Sequence, residues 1–131
     1  MINTIYISSK IENISIIESL VDQLSREYSL GSVVYGNILV ALLEAVTNSI
    51  MHGNKMDPEK QVKVTYSLTD EFVEFSISDE GEGFDFENIP DPTRPRNVEK
   101  PNGRGVFLMS HLTDELVYNK EKSEIIMRFK I

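Results

Sequence analysis

The chain contains no cysteine. That excludes disulfides, thiolate metal sites and a cysteine nucleophile, and it suits a cytoplasmic protein. No run of apolar residues approaches the ~20 that a spanning helix needs, so no membrane partner is expected. The first residues, MINTIYISSK, lack the basic-then-apolar order of a secretion signal. Basic residues are outnumbered, 13 Lys and Arg against 21 Asp and Glu, for a net charge of -8. Such a surface disfavours the nucleic-acid backbone and suits a basic protein surface. No repeat or linker divides the sequence. Its 131 residues, 40% of them hydrophobic, fit a single domain, 1–131, around one core.

What is present follows two periodicities. Ile2 to Ser8 is β-branched and aromatic and predicts a short strand. Ser9 and Glu12 have the spacing of a capping box, and a helix follows to about Tyr28. Its apolar stripe is Ile14, Ile17, Val21, Leu24 and Tyr28. Gly31 breaks the chain, and Ser32 can cap a second helix that ends near Gly53, a candidate left-handed terminus. Ile38, Leu39, Leu42, Leu43, Val46 and Ile50 give that helix its core side. Val62 to Leu68 and Val73 to Ile77 alternate as half-buried strands. Residues Gly105 to Leu112 predict a short helix, and Glu115–Asn119 with Ile125–Ile131 predict two closing strands. Two long helices, a hairpin, a third helix and a second hairpin are not a regular β-α-β series. That order favours a two-layer α/β sandwich, of α+β class, with three main helices on a mixed, largely antiparallel sheet.

Three stretches carry chemistry. The helix LLEAVTNSIMHGN, Leu42 to Asn54, places Glu44 and Asn48 one turn apart on one face. A soluble helix has no packing need for that pair. In DEGEGF, Asp79 to Phe84, Asp79 has the parity of Val73, Phe75 and Ile77. Alternation therefore points its carboxylate at the buried face, where it needs a partner. The third stretch is GRGVFLM, Gly103 to Met109, a Gly-x-Gly that opens a helix. Asp79, Glu80 and Glu82 do not have EF-hand spacing. Between the second and third stretches, Asp85 to Asn102 holds Pro90, Pro92, Pro95 and Pro101, with Arg94, Arg96 and Lys100 late in it. A connection of that length in a small domain is usually functional or disordered, and a lid over a phosphate-bearing ligand is expected.

Glu-x-x-x-Asn, Asp-x-Gly-x-Gly and Gly-x-Gly, in that order, resemble the nucleotide-binding boxes of the GHKL (histidine kinase-like) ATPase superfamily. The short chain and the run EAVTNSIMHGN are most similar to the bacterial anti-sigma-factor serine/threonine-protein kinases. The resemblance implies the Bergerat-type sandwich and a site for ATP and Mg2+. By that resemblance Glu44 is the general base, Asn48 holds magnesium, and Asp79 accepts a hydrogen bond from the adenine amino group. Gly81 and Gly83 let the backbone pass close to the base, while Gly103 and Gly105 offer amides to phosphate. Arg104 reaches the terminal phosphate. Ser123 falls where relatives often have a Gly-Thr pair. Here that pair is Lys122-Ser123, so the hydroxyl is kept and the glycine lost.

The resemblance further implies a homodimer that binds a sigma factor and phosphorylates an anti-sigma-factor antagonist. Neither His52 nor His111 is a phospho-acceptor by this reading, and His52 is expected to be structural or to meet the lid. Two other readings stay open. The fold is a protein-binding module with structural nucleotide or none, or it is the ATPase domain of a two-component-type regulator.

Overall fold

A computed structural model describes residues 2–81 and 108–131. Strand β1 (Ile2–Ser8) is followed by a single 3-10 turn (Ile11–Asn13) and helix α1 (Ile14–Tyr28). Helix α2 (Ser32–Asn48) continues into a widened π turn, Ser49–Gly53. Strands β2 (Gln61–Leu68) and β3 (Phe72–Ser78) form a hairpin. Helix α3 is described over residues 108–112, and β4 (Glu115–Asn119) and β5 (Glu124–Lys130) close the chain. The sheet order is β1-β2-β3-β5-β4, and all four pairings are antiparallel. The mixed component expected from the sequence is therefore missing among the described strands.

Alternation decides which side of the sheet is covered. Val62 and Val64 in β2, Val73, Phe75 and Ile77 in β3, and Ile125, Met127 and Phe129 in β5 are all buried. They meet Ile17, Leu20, Val21 and Leu24 of α1 and Ile38, Leu42, Val46 and Ile50 along α2 and its π turn. Helix α2 lies against α1 on one side and β3 and β5 on the other. The Phe75 ring sits edge-on to Phe129 with centroids 6.1 Å apart, an arrangement aromatic quadrupoles favour. On the opposite sheet face Arg128 bridges Glu74 and Glu115 at 3.2 and 2.9 Å, an exposed network that adds little stability.

Several local expectations give way to tertiary contacts. Ser9 does not cap α1: it is fully buried, and its Oγ donates to the Lys60 carbonyl at 2.7 Å. Ser32 is the first residue of α2 after an extended Gly31 and makes no side-chain cap bond. Tyr28 leaves the core and is half exposed, while Leu20 takes its place on the stripe. Ile131 lies beyond β5. The continuous helical stretch Ser32–Gly53 has 22 residues and holds an 18-residue window with a mean hydropathy of 1.5, enough by length and composition to cross a membrane. The absence of such a stretch expected above does not hold. Ile38, Leu42, Val46 and Ile50 of that stretch are instead buried in the core with α1 and the sheet.

Helices α1 and α2 are also tied by a bond from the Tyr35 hydroxyl to Asp22. The bond, then burial and the Asp22 and Glu18 charges, hold the phenol above its ordinary pKa of 10.0. A raised phenol pKa means the tie is fully present below the unfolded value and is lost as pH rises through the folded one.

Candidate functional site

The end of α2 is shaped by an irregularity. Through Ser49–Gly53 the helix widens to π geometry, a feature often found at functional sites. The Asn54 N–H then reaches back to the Ser49 carbonyl at 2.8 Å, and the Met56 N–H to Ile50 at 2.7 Å. In this segment the non-glycine residues with positive φ are Lys55 (53°) and Met56 (59°). Gly53, the residue expected to turn left-handed, does not. It is glycine for a different reason. A Cβ there would lie 2.3 Å from Oδ2 of Asp79.

Asp79 arrives as alternation dictates, two residues beyond Ile77, on the face that α2 covers. Its N–H donates to the Ser123 carbonyl at 3.1 Å, extending the β3–β5 pairing by one step. Oδ1 accepts from Ser123 Oγ at 2.6 Å and from the Gly81 N–H at 2.8 Å. Among the described residues Oδ2 accepts nothing further. The carboxylate is thus held by one oxygen and offers the other. Ser123 is buried with φ of 46°, whereas Lys122 has ordinary backbone. The left-handed residue is the serine, so the glycine lost at 122 is not needed for the turn, and the retained hydroxyl finds the aspartate.

Asp79 and Ser123 share a cavity of about 230 Å³ with Asn48, Ser49, His52 and Gly53 from the end of α2. Ala45, Ile77, Met109, Tyr118 and Ile125 supply its apolar walls. Asn48 brings a buried amide whose Nδ2 has no hydrogen-bond partner among the described residues. An unpartnered buried amide is costly. Which terminal atom is oxygen is an assignment, and a half-turn of the amide would present an oxygen instead. Magnesium takes oxygen ligands and usually keeps waters and substrate phosphates, so one amide oxygen is a sufficient share for the protein. Among the described residues no group of three or more His, Asp or Glu side chains forms a separate metal site.

Glu44 is half-buried one turn before Asn48 and is not a wall of the cavity. Its side chain stands beside Asn48 through helix geometry alone. Gly81 is packed on the end of α2: a Cβ there would lie 2.3 Å from the Gly53 carbonyl oxygen and 2.9 Å from its Cα. Gly83, Gly103, Arg104, Gly105 and the stretch Asp85–Asn102 lie outside the described residues.

The contact between Gly53 and Gly81 gives a direct expectation. Gly81→Ala forces backbone against backbone, where neither side can rotate away, and should destabilise the protein by about 1–3 kcal/mol. Urea denaturation measures it. An unchanged midpoint and slope would show that the two backbones are not pressed together.

Sequence reading missed two participants. In the sequence Gly53 is visible only as a helix terminus, and Asn54 only as the last residue of the stretch Leu42 to Asn54. Yet Asn54 is completely buried, and its side chain bonds to Ser9, Gln61 and Glu80. The signal available was the pair Gly-Asn at the end of the helix, too short to identify either role.

A sequence model of the family described as "Histidine kinase-like ATPase domain" matches residues 7–129. The serine-protein kinase RsbW of Oceanobacillus iheyensis is 30% identical over 100 residues, which cover 72% of this chain and 63% of that protein. The chain thus matches less than two thirds of that relative's length. The serine-protein kinase RsbW of Staphylococcus epidermidis is 31% identical over 117 residues, 82% of this chain and 74% of that one. Among solved structures, the histidine kinase domain of a blue-light activated histidine kinase from Erythrobacter litoralis EL346 superposes with a TM-score of 0.55. At 15% identity, over 90% of this chain and 59% of that one, it speaks to the fold alone.

Proposed function

Because the chain belongs to the histidine kinase-like ATPase domain family, we propose that it is an ATP-dependent protein serine/threonine kinase of the anti-sigma-factor type. In this reading it phosphorylates an anti-sigma-factor antagonist and sequesters a sigma factor, as a homodimer in the cytoplasm, without nucleic acid or membrane as partner. The observation that carries it is the pairing, in one cavity, of the buried Asn48 Nδ2, which has no hydrogen-bond partner among the described residues, with the Asp79 carboxylate, whose Oδ2 accepts no hydrogen bond among them. That pair suits a ligand with a hydrogen-bond donor at one end and a metal-bound anion at the other. The naming of two relatives as serine-protein kinases supports the choice of reaction.

Each residue then has a task. Asp79 Oδ2 accepts a hydrogen bond from the adenine amino group, and Ser123 and Gly81 hold that carboxylate in place through Oδ1. Gly53 and Gly81, lacking Cβ atoms, let the end of α2 and the turn after β3 close against each other beside Asp79. Asn48 holds magnesium, which supplies charge neutralisation at the triphosphate. Glu44 takes the proton from the serine or threonine hydroxyl of the antagonist.

That Glu44 does not line the cavity favours one other reading, a regulator that binds nucleotide and holds partners without transfer. The two are separated by calorimetry of ATP with and without magnesium, then labelled ATP with candidate antagonist proteins. Magnesium-dependent binding with label in a serine or threonine is expected. Binding without transfer to any candidate leaves the binding module, and no binding at all removes both.

A further inference from the structure

We propose that Asn54 is the positioning residue of the base-reading turn: its buried amide fixes the backbone of Asp79–Gly81 to the end of α2, and so sets where Asp79 stands relative to Asn48. The proposal rests on the reading of Asp79 as the purine contact.

Every atom of the Asn54 amide is engaged although the residue is completely buried. Oδ1 accepts from the Glu80 N–H at 2.7 Å. Nδ2 donates to Ser9 Oγ at 2.8 Å and to the Gln61 carbonyl at 3.0 Å. The Glu80 N–H belongs to the peptide that immediately follows the Asp79 Cα, so holding that plane orients the aspartate side chain. The same turn is gripped from the opposite direction, because Glu80 Oε2 accepts the Gln61 N–H at 2.7 Å. Glu80 therefore turns toward β2, and Asp79 is left as the carboxylate of that turn that lines the cavity.

The backbone around Asn54 is shaped to bring it inside. The π turn ends at Gly53, and the next two residues after Asn54, Lys55 and Met56, both adopt left-handed φ. Residues with a Cβ resist that conformation, and it persists only where the surroundings over-determine it. An asparagine that merely faced solvent would need none of this.

A residue that only holds the fold together would show the same burial, so the two halves of the amide must be separated. The donor half, toward Ser9 and Gln61, ties β1 to β2. The acceptor half, toward Glu80, belongs to the site. Ser9→Ala disturbs the first and leaves the second.

The test compares ATP with inosine triphosphate, whose base carries a carbonyl where adenine has its amino group. Calorimetry is run on the parent, Asn54→Ala, Asn54→Asp and Ser9→Ala, with thermal melts to confirm folding. The parent should prefer ATP. Asn54→Ala should lose ATP affinity by on the order of 10- to 100-fold, as when the outer partners of a ligand set are removed, with little change for the inosine nucleotide. Amide exchange at Glu80 should accelerate in parallel. Ser9→Ala should lower Tm and keep the ATP preference. Asn54→Asp keeps an acceptor for the Glu80 N–H, so when folded it too should keep the preference, and this variant decides the matter if the alanine fails to fold. A folded Asn54→Ala with the parental preference, or a folded Asn54→Asp without it, overturns the role of Asn54 alone. A parent that binds both nucleotides alike overturns the reading of Asp79, and the proposal with it.

Discussion

Glu44→Gln is expected to retain nucleotide binding while phosphoryl transfer falls about 10²–10⁴-fold, the usual contribution of a positioned base. The reason is geometric before it is electrostatic. Glu44 and Asn48 leave the same face of α2 one turn apart, so a group bound at Asn48 comes within reach of Glu44. Glutamine keeps the length and the hydrogen-bonding oxygen but cannot take a proton at neutral pH. Asn48→Ala should behave differently, losing magnesium-dependent binding as well as transfer, because the amide that lines the cavity is then gone. Transfer by each variant from labelled ATP, beside calorimetry of ATP with magnesium, separates the two effects. A glutamine variant that transfers phosphate at the parental rate would remove Glu44 as the base.

The second large effect is expected at Asp79. Asp79→Asn should weaken ATP binding by about 1.5–3 kcal/mol, the range for hydrogen bonds to a charged group, or roughly 10- to 150-fold. The structure says why an isosteric change is so costly. Oδ1 accepts from both Ser123 Oγ and the Gly81 N–H. An asparagine keeps those two bonds only by placing its oxygen there, which puts its NH2 group where Oδ2 offered an acceptor. A donor then faces the donor of the adenine amino group. The alternative rotamer sets the NH2 group against the Gly81 N–H, a fixed donor within the protein. Either way one contact is lost and one repulsion is gained. Calorimetry of parent and variant with ATP measures the difference, and equal affinities would remove the adenine assignment.

Helix, strand and face were legible in the sequence wherever one periodicity ran unbroken. The β3 alternation Val73, Phe75, Ile77 carried directly to Asp79, and the carboxylate does point beneath α2. The spacing of four between Glu44 and Asn48 put both on one helix face. The order of glycine boxes pointed to a family, and the match over residues 7–129 agrees. These are local properties: a side chain's direction in a regular element follows from its position in the period.

What the sequence left undetermined is the set of contacts that join distant segments. Ser9 had the spacing of a helix cap, yet it is buried against Lys60 and Asn54. Gly53 had the place of a left-handed terminus, yet its missing Cβ makes room for Asp79. Ser123 reaches Asp79 across 44 residues of sequence, and Asn54 reaches Glu80 across 26. No local pattern encodes such a pairing, because a buried hydrogen bond or a backbone-to-backbone contact depends on where the rest of the chain has already been packed. The sequence determined which residues the site could use. Only the packing of α2 over β3 and β5 decided which of them meet.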